Sequence, residues 1–211
     1  MDNQEIHRGG VRKLTSRFYA RPADRVAEEL IGKILVRRIN DSDGRPLEFR
    51  ARIIETEAYV GEHDLACHAA KGRTGRTEIM FGPAGFAYVY FIYGMYDMLN
   101  IVASDVGDAQ AVLIRGAVAI DGSRLDLSGP GKLARGMRIT RRDNGVDLTG
   151  DELFVMSGSI VKPKIVRTPR IGVDYARHWK DAPLRFVDAD FHKPLSRKRI
   201  SGLSSGTPED R

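Results

Sequence analysis

The spacing of apolar positions changes period early in the chain. Val26, Ala27, Leu30 and Ile31 recur at helical spacing after Arg21-Pro22, and Gly32 follows them. That pattern predicts a short amphipathic helix over Asp24 to Ile31, stopped by the glycine. Lys33 to Ile39 then reads as a strand, Asn40-Asp41-Ser42-Asp43-Gly44-Arg45-Pro46 as a turn, and Leu47 to Glu57 as a second strand. Phe86 to Tyr93 is rich in β-branched and aromatic residues, Gly94 offers a turn, and Leu99 to Ala103 can return as the partner strand. Short strands with turns between them continue toward the C-terminus. The expectation is an α+β fold, a single mixed domain over residues 13–200 built on a mainly antiparallel sheet. The polar stretches 1–12 and 201–211 are expected to be disordered.

Composition narrows the classes. Hydrophobic residues make up 42% of the 211 positions and charged ones 29%, enough apolar material for a sizeable core. No run of about 18 apolar residues predicts a membrane span. Met1-Asp2-Asn3-Gln4-Glu5 lacks the basic-then-apolar order of a secretory signal. The single cysteine, Cys67, rules out an internal disulfide framework and a thiolate zinc cluster. These features point to a cytoplasmic protein with neither metal nor cofactor.

The net charge of +6 is unevenly spread. Residues 1–131 hold 17 Lys/Arg against 18 Asp/Glu, whereas residues 132–211 hold 17 against 10. Lys132, Arg135, Arg138, Arg141 and Arg142 form one acid-free run, and Lys162, Lys164, Arg167 and Arg170 a second. A one-sided basic surface suits a polyanion such as nucleic acid, and equally a solvated face.

Candidate chemistry lies upstream of the hairpin. Glu55, Glu57 and Tyr59 alternate onto one face of their strand, with Thr56 and Ala58 on the other. A carboxylate at the end of an apolar strand suits a general base, because burial raises its proton affinity. The alternative is an edge-strand glutamate paired with a basic side chain. His63 and His68 have no helical ligand spacing, which argues against a metal site. From Met80 to Ser104 the only charged residue is Asp97, while Phe81, Phe86, Tyr88, Tyr90, Phe91, Tyr93 and Tyr96 supply seven aromatics. Such a hairpin packs a core, or presents Tyr93 and Tyr96 at an exposed turn.

Glu-Thr-Glu-Ala-Tyr at 55–59, His68, Tyr-Val-Tyr-Phe-Ile-Tyr-Gly-Met-Tyr at 88–96, Asn100 and Arg115 resemble the alkyladenine (3-methyladenine) DNA glycosylase family. Leu30-Ile31-Gly32-Lys33-Ile34-Leu35-Val36-Arg37, Gly129-Pro130-Gly131-Lys132-Leu133, Arg170-Ile171-Gly172-Val173 and Pro183-Leu184-Arg185-Phe186 extend the resemblance over about residues 14–195. It implies a curved sheet flanked by helices, with a protruding aromatic hairpin. It implies that Glu57 activates the hydrolytic water and that Arg115 helps hold it. Tyr59 would stack on one face of an extruded base, with His68 and Tyr90 as the opposite wall. Tyr93 would fill the gap left in the duplex. Asn100, expected to face Tyr90 across the paired strands, would clash with the exocyclic amine of normal guanine. Tyr96, Lys132 and Arg135 are candidates for the DNA backbone. Glu62-His63 stands where the family more usually has a Pro-containing pair.

The function so implied is monofunctional excision of damaged purines (3-methyladenine, 7-methylguanine, hypoxanthine, ethenoadenine) from double-stranded DNA by a monomer. The alternative is a non-catalytic nucleic-acid-binding domain, like the C-terminal domain of methionyl-tRNA formyltransferases. Gly129-Pro130-Gly131-Lys132-Leu133-Ala134 matches a dinucleotide fingerprint in form only, because Pro130 and the missing acid-tipped second strand argue against one.

Overall fold

The computed structural model describes residues 11–92, 94, 96–158 and 163–192. A four-residue turn of helix, α1 (Ser16–Tyr19), leads into α2 (Ala23–Leu30). Ala23, Val26, Ala27 and Leu30 of α2 are wholly buried, as their spacing requires. Ile31 is already extended and Gly32 takes φ +83°, a left-handed conformation that ends the helix at little steric cost.

The strands are β1 (Ile34–Asn40), β2 (Pro46–Tyr59), β3 (Ala87–Ile92), β4 (Tyr96–Ala103), β5 (Gln110–Ala119), β6 (Leu153–Met156), β7 (Ile165–Thr168) and β8 (Arg185–Asp188). They form one curled antiparallel sheet in the order β3-β4-β5-β2-β1-β6, with β8 also paired to β2 and β7 to β8. The turn between β1 and β2 is fixed by Asp41, whose Oδ1 accepts from the amides of Asp43 and Arg45.

β2 is the organising strand. Its first half, through Arg52, pairs with β1, and Glu55, Thr56 and Glu57 pair with β8 instead. Its other edge runs along β5 from Ala51 to Tyr59. That pairing slips twice, so Ile54 on β2 and Arg115 on β5 have no opposite residue. Such bulges bend a strand and re-aim the extra side chain.

One face of the sheet is covered by α2, with Leu35, Ile53, Val112 and Ile114 in the shared core. The other face packs Tyr88, Val102 and Ala111 against Cys67, Ala69, Met80 and Phe81 from the segment between β2 and β3. α3 (Pro130–Gly136) lies against β4 and β5. A Cβ on Gly131 would stand 2.7 Å from the Tyr96 ring, so only glycine lets α3 approach β4 this closely. No helix among the described residues is long and apolar enough to cross a membrane.

Candidate active site

Tyr88, Asn100, Leu113 and Glu57 stand directly opposite one another across β3, β4, β5 and β2. Directly opposed residues share a face, so the hairpin and the carboxylate are brought together by register alone. A cavity of about 320 Å³ opens on that face. Tyr59, His68, Tyr88, Tyr90, Asn100 and Arg115 line it, and Ile171 to Val173 with Tyr175 close another side.

Glu57 is fully buried between β5 and β8. Its Oε1 accepts the Ile171 amide at 2.8 Å, and its Oε2 accepts the Tyr59 hydroxyl at 2.9 Å and Arg115 Nη1 at 3.5 Å. Burial raises its proton affinity above the usual carboxylate range, while Arg115, the Ile171 amide and the Tyr59 hydroxyl pull the other way. The carboxylate does not itself line the cavity; the three residues that touch it do. Arg115 is held from behind, its Nε donating to Glu55 Oε1 at 3.0 Å. The same oxygen accepts Arg185 Nε at 2.6 Å. Glu55, Glu57 and Tyr59 do share one face.

His68 and the tyrosines form one wall. His68 Nε2 lies 3.0 Å from Arg76 Nη2, and Nδ1 lies 2.9 Å from the Tyr88 hydroxyl. A guanidinium can only donate, so Nε2 accepts and Nδ1 carries the proton. Burial first, then the charges of Arg76 and Lys71, push the imidazole pKa down from 6.5 to about 4, leaving it neutral at neutral pH. Its ring meets Tyr90 edge-on with centroids 4.6 Å apart, and Arg76 sits 5.0 Å over the Tyr90 ring. Across the cavity, Arg170 lies 4.8 Å from the Tyr59 ring centre. Asn100 is buried, its Nδ2 donating to the carbonyls of Tyr88 at 3.2 Å and Met98 at 3.4 Å. It faces Tyr88 across the strands; Tyr90 faces Met98, which corrects the expected pairing.

Residues 17–192 match the sequence model of the family described as Methylpurine-DNA glycosylase (MPG). The chain belongs to that family. Methylpurine-DNA glycosylases are hydrolases of N-glycosyl bonds. A protein of Myxococcus xanthus is 49% identical over 177 residues, covering 82% of this chain and 88% of its own. One of Methanocella arvoryzae is 47% identical over 199 residues, covering 88% and 96%. One of Legionella pneumophila is 46% identical over 181 residues, covering 85% and 96%. All three are named "Putative 3-methyladenine DNA glycosylase".

The remaining residues singled out for this glycosylase fall in different places. Tyr93 lies outside the described residues. Tyr96 is 39% exposed with its ring against Gly131. Lys132 is exposed but bonded to Asp126 at 2.8 Å, and Arg135 is exposed on α3. The second basic run is divided: Lys162 lies outside the described residues, Lys164 is exposed, Arg167 pairs with Glu28 at 2.7 Å, and Arg170 is buried against Asp64. Nothing in the sequence pattern singles out Asp64 or Arg76, and Arg185 stands out only as part of the motif Pro183-Leu184-Arg185-Phe186. Arg170 and Asp64 are 106 positions apart, and an arginine inside a basic run carries no local sign that it will be buried.

Proposed function

We propose that this glycosylase extrudes damaged purines from duplex DNA and hydrolyses their N-glycosidic bond as a monomer without cofactor. Its lesions would be 3-methyladenine first, then 7-methylguanine, hypoxanthine and ethenoadenine. The names of its relatives support the first of these. The observation that carries the reading is a buried carboxylate, tied to an arginine and a tyrosine, at the edge of an aromatic-walled cavity.

Extruding a base costs a few kcal/mol, least for damaged or mispaired ones. Stacking on aromatic faces returns about 1–3 kcal/mol per base, enough to balance that cost. Tyr59 supplies one face, and His68 with Tyr90 the other. Neutral His68 suits this wall, since a charged imidazole would repel a cationic alkylated purine. Tyr93 would occupy the vacated position in the duplex.

Bond cleavage develops oxocarbenium character on the sugar, as in glycoside hydrolysis. Glu57 takes a proton from water, whose oxygen bonds to C1′ while the base departs with the C1′–N pair. A 3- or 7-alkylated purine already carries positive charge and leaves neutral, whereas neutral hypoxanthine and ethenoadenine leave with the electron pair and take up a proton, in net balance the one removed from the water. Arg115 positions the water and, with the Ile171 amide, favours the ionised carboxylate. Because Tyr59 caps Oε2 in the free protein, stacking a base on its ring must move that hydroxyl aside before water reaches the carboxylate. The described lining residues include no lysine to form a Schiff base, which supports hydrolysis without strand cleavage.

The test is a panel of duplexes each carrying one lesion, incubated with protein and then cleaved at abasic sites with alkali. Glu57→Gln is expected to lower single-turnover excision by at least about a hundredfold, the scale of general acid–base catalysis, with lesion binding near wild type. Equal losses of binding and rate would make Glu57 a structural residue.

A further inference from the structure

Arg170 takes part in no step above, yet its side chain and that of Asp64 are wholly buried together. Its Nη1 and Nη2 donate to the two carboxylate oxygens, the latter at 2.8 Å. Nη1 also donates to the Ala58 carbonyl at 2.9 Å and Nη2 to the Trp179 carbonyl at 3.4 Å. Asp64 accepts from the amides of Val60 at 3.2 Å and Ala66 at 3.0 Å.

Apart from the bond to Trp179, these contacts fall near site residues. Ala58 and Val60 flank Tyr59, whose ring the guanidinium backs. Ala66 lies two residues before His68. Arg170 immediately precedes Ile171, whose amide holds Glu57 Oε1 at 2.8 Å. An ion pair taken out of water adds little net stability over apolar side chains of similar size, so stability alone is a weak reason for one here. A planar five-donor fork, in contrast, fixes direction as well as distance.

We propose that the Asp64–Arg170 pair is a positioning device for the reaction, seating the Ile171 amide on Glu57 and the Tyr59 ring at the cavity wall. The inference rests on the reading of Glu57 as the base. Glu57 is faced by Arg115 from β5, Glu55 and Tyr59 from β2, Tyr90 from β3, Arg185 opposite it on β8, and Ile171 with Arg170 from the segment after β7. Removing the pair directly disturbs Tyr59 and the segment carrying Ile171, and leaves the other groups facing Glu57 in place.

The test replaces both partners by apolar residues, Asp64→Leu with Arg170→Met, and checks folding by circular dichroism. Protein labelled with ¹³C at glutamate carboxyls is titrated, the Glu57 signal being the one lost in Glu57→Gln. Its midpoint is expected to rise by at least about one pH unit, and the acid limb of single-turnover excision to rise with it. Below the midpoint that is about a tenfold loss of rate. Affinity for undamaged duplex should not change. A folded variant with both midpoint and rate profile unmoved overturns the proposal. Should the double replacement fail to fold, Arg170→Lys, which keeps the charge and gives up the fork, is judged by the same two readouts. The titration uses no substrate. Wild-type protein that released no lesion would therefore sink the glycosylase reading and leave the positioning claim to be decided by the carboxyl midpoint.

Discussion

Asn100 illustrates what a single side chain can contribute to selectivity. Its amide is pinned by two carbonyls of the hairpin, so it cannot rotate to accommodate an ill-fitting base. Attraction discriminates poorly between purines that differ by small groups, and a pocket gains more by penalising the wrong one. Asn100→Ser is expected to raise single-turnover release of guanine from G·T pairs by at least about tenfold, within the 1–3 kcal/mol that one small group is worth. Hypoxanthine release should stay measurable. Background guanine release with hypoxanthine activity intact would remove Asn100 as the filter, and a collapse of both would make it structural. Sequence alternation alone placed Glu55, Glu57 and Tyr59 on one face, because side-chain direction in a strand has a strict period of two. It could not place Asn100 opposite Tyr88, since register between strands depends on the length of the intervening turn.

At the scale of elements, legibility followed length. The eight-residue α2 and the fourteen-residue β2 carry enough repeats for their period to be read. The strands β6, β7 and β8, four residues each, carry too few alternations to stand out from their surroundings. The bulge at Arg115 is set by pairing with a strand some 60 residues away, which nothing local encodes. The basic runs show the same limit, since in the second of them Arg167 is ion-paired and Arg170 buried. On α3, Asp126 already neutralises Lys132, whereas Arg135 stands exposed on the helix's last turn. Each phosphate contact adds about −0.9 to the slope of log affinity against log salt. Arg135→Gln should therefore shallow that slope on undamaged duplex by about 0.9, and Lys132→Gln by less. Should the slope of Arg135→Gln match wild type, α3 is not part of the DNA interface.

For the molecule as a whole, the site is built at the expense of stability, and pH makes this measurable. Glu57 occupies the middle of the sheet, where burial outweighs its partners and raises its proton affinity in the folded chain. The folded state therefore holds this proton more tightly than the unfolded one. Its stabilising effect is complete below the ordinary carboxylate pKa and is lost as pH rises through the raised value. His68 runs the other way: with a folded value of about 4 against 6.5, it adds stability above 6.5 that is lost on acidification toward 4. Glu57→Gln removes only the first effect. Its amide oxygen still accepts from Ile171, its NH₂ group can meet the Tyr59 oxygen, and Arg115 keeps Glu55. The variant should consequently melt higher than wild type at pH 7 to 8, with the difference shrinking on acidification and vanishing below about pH 4. The same substitution is the one expected to slow excision at least about a hundredfold, so activity and stability would move in opposite directions at one residue, as they do where a strained group is kept for chemistry. Calorimetric melting of both proteins from pH 4 to 8 decides it. A variant that melts lower than wild type at neutral pH would mean that Arg115, Tyr59 and Ile171 more than offset the burial of the charge, and that the proton affinity of Glu57 is not raised.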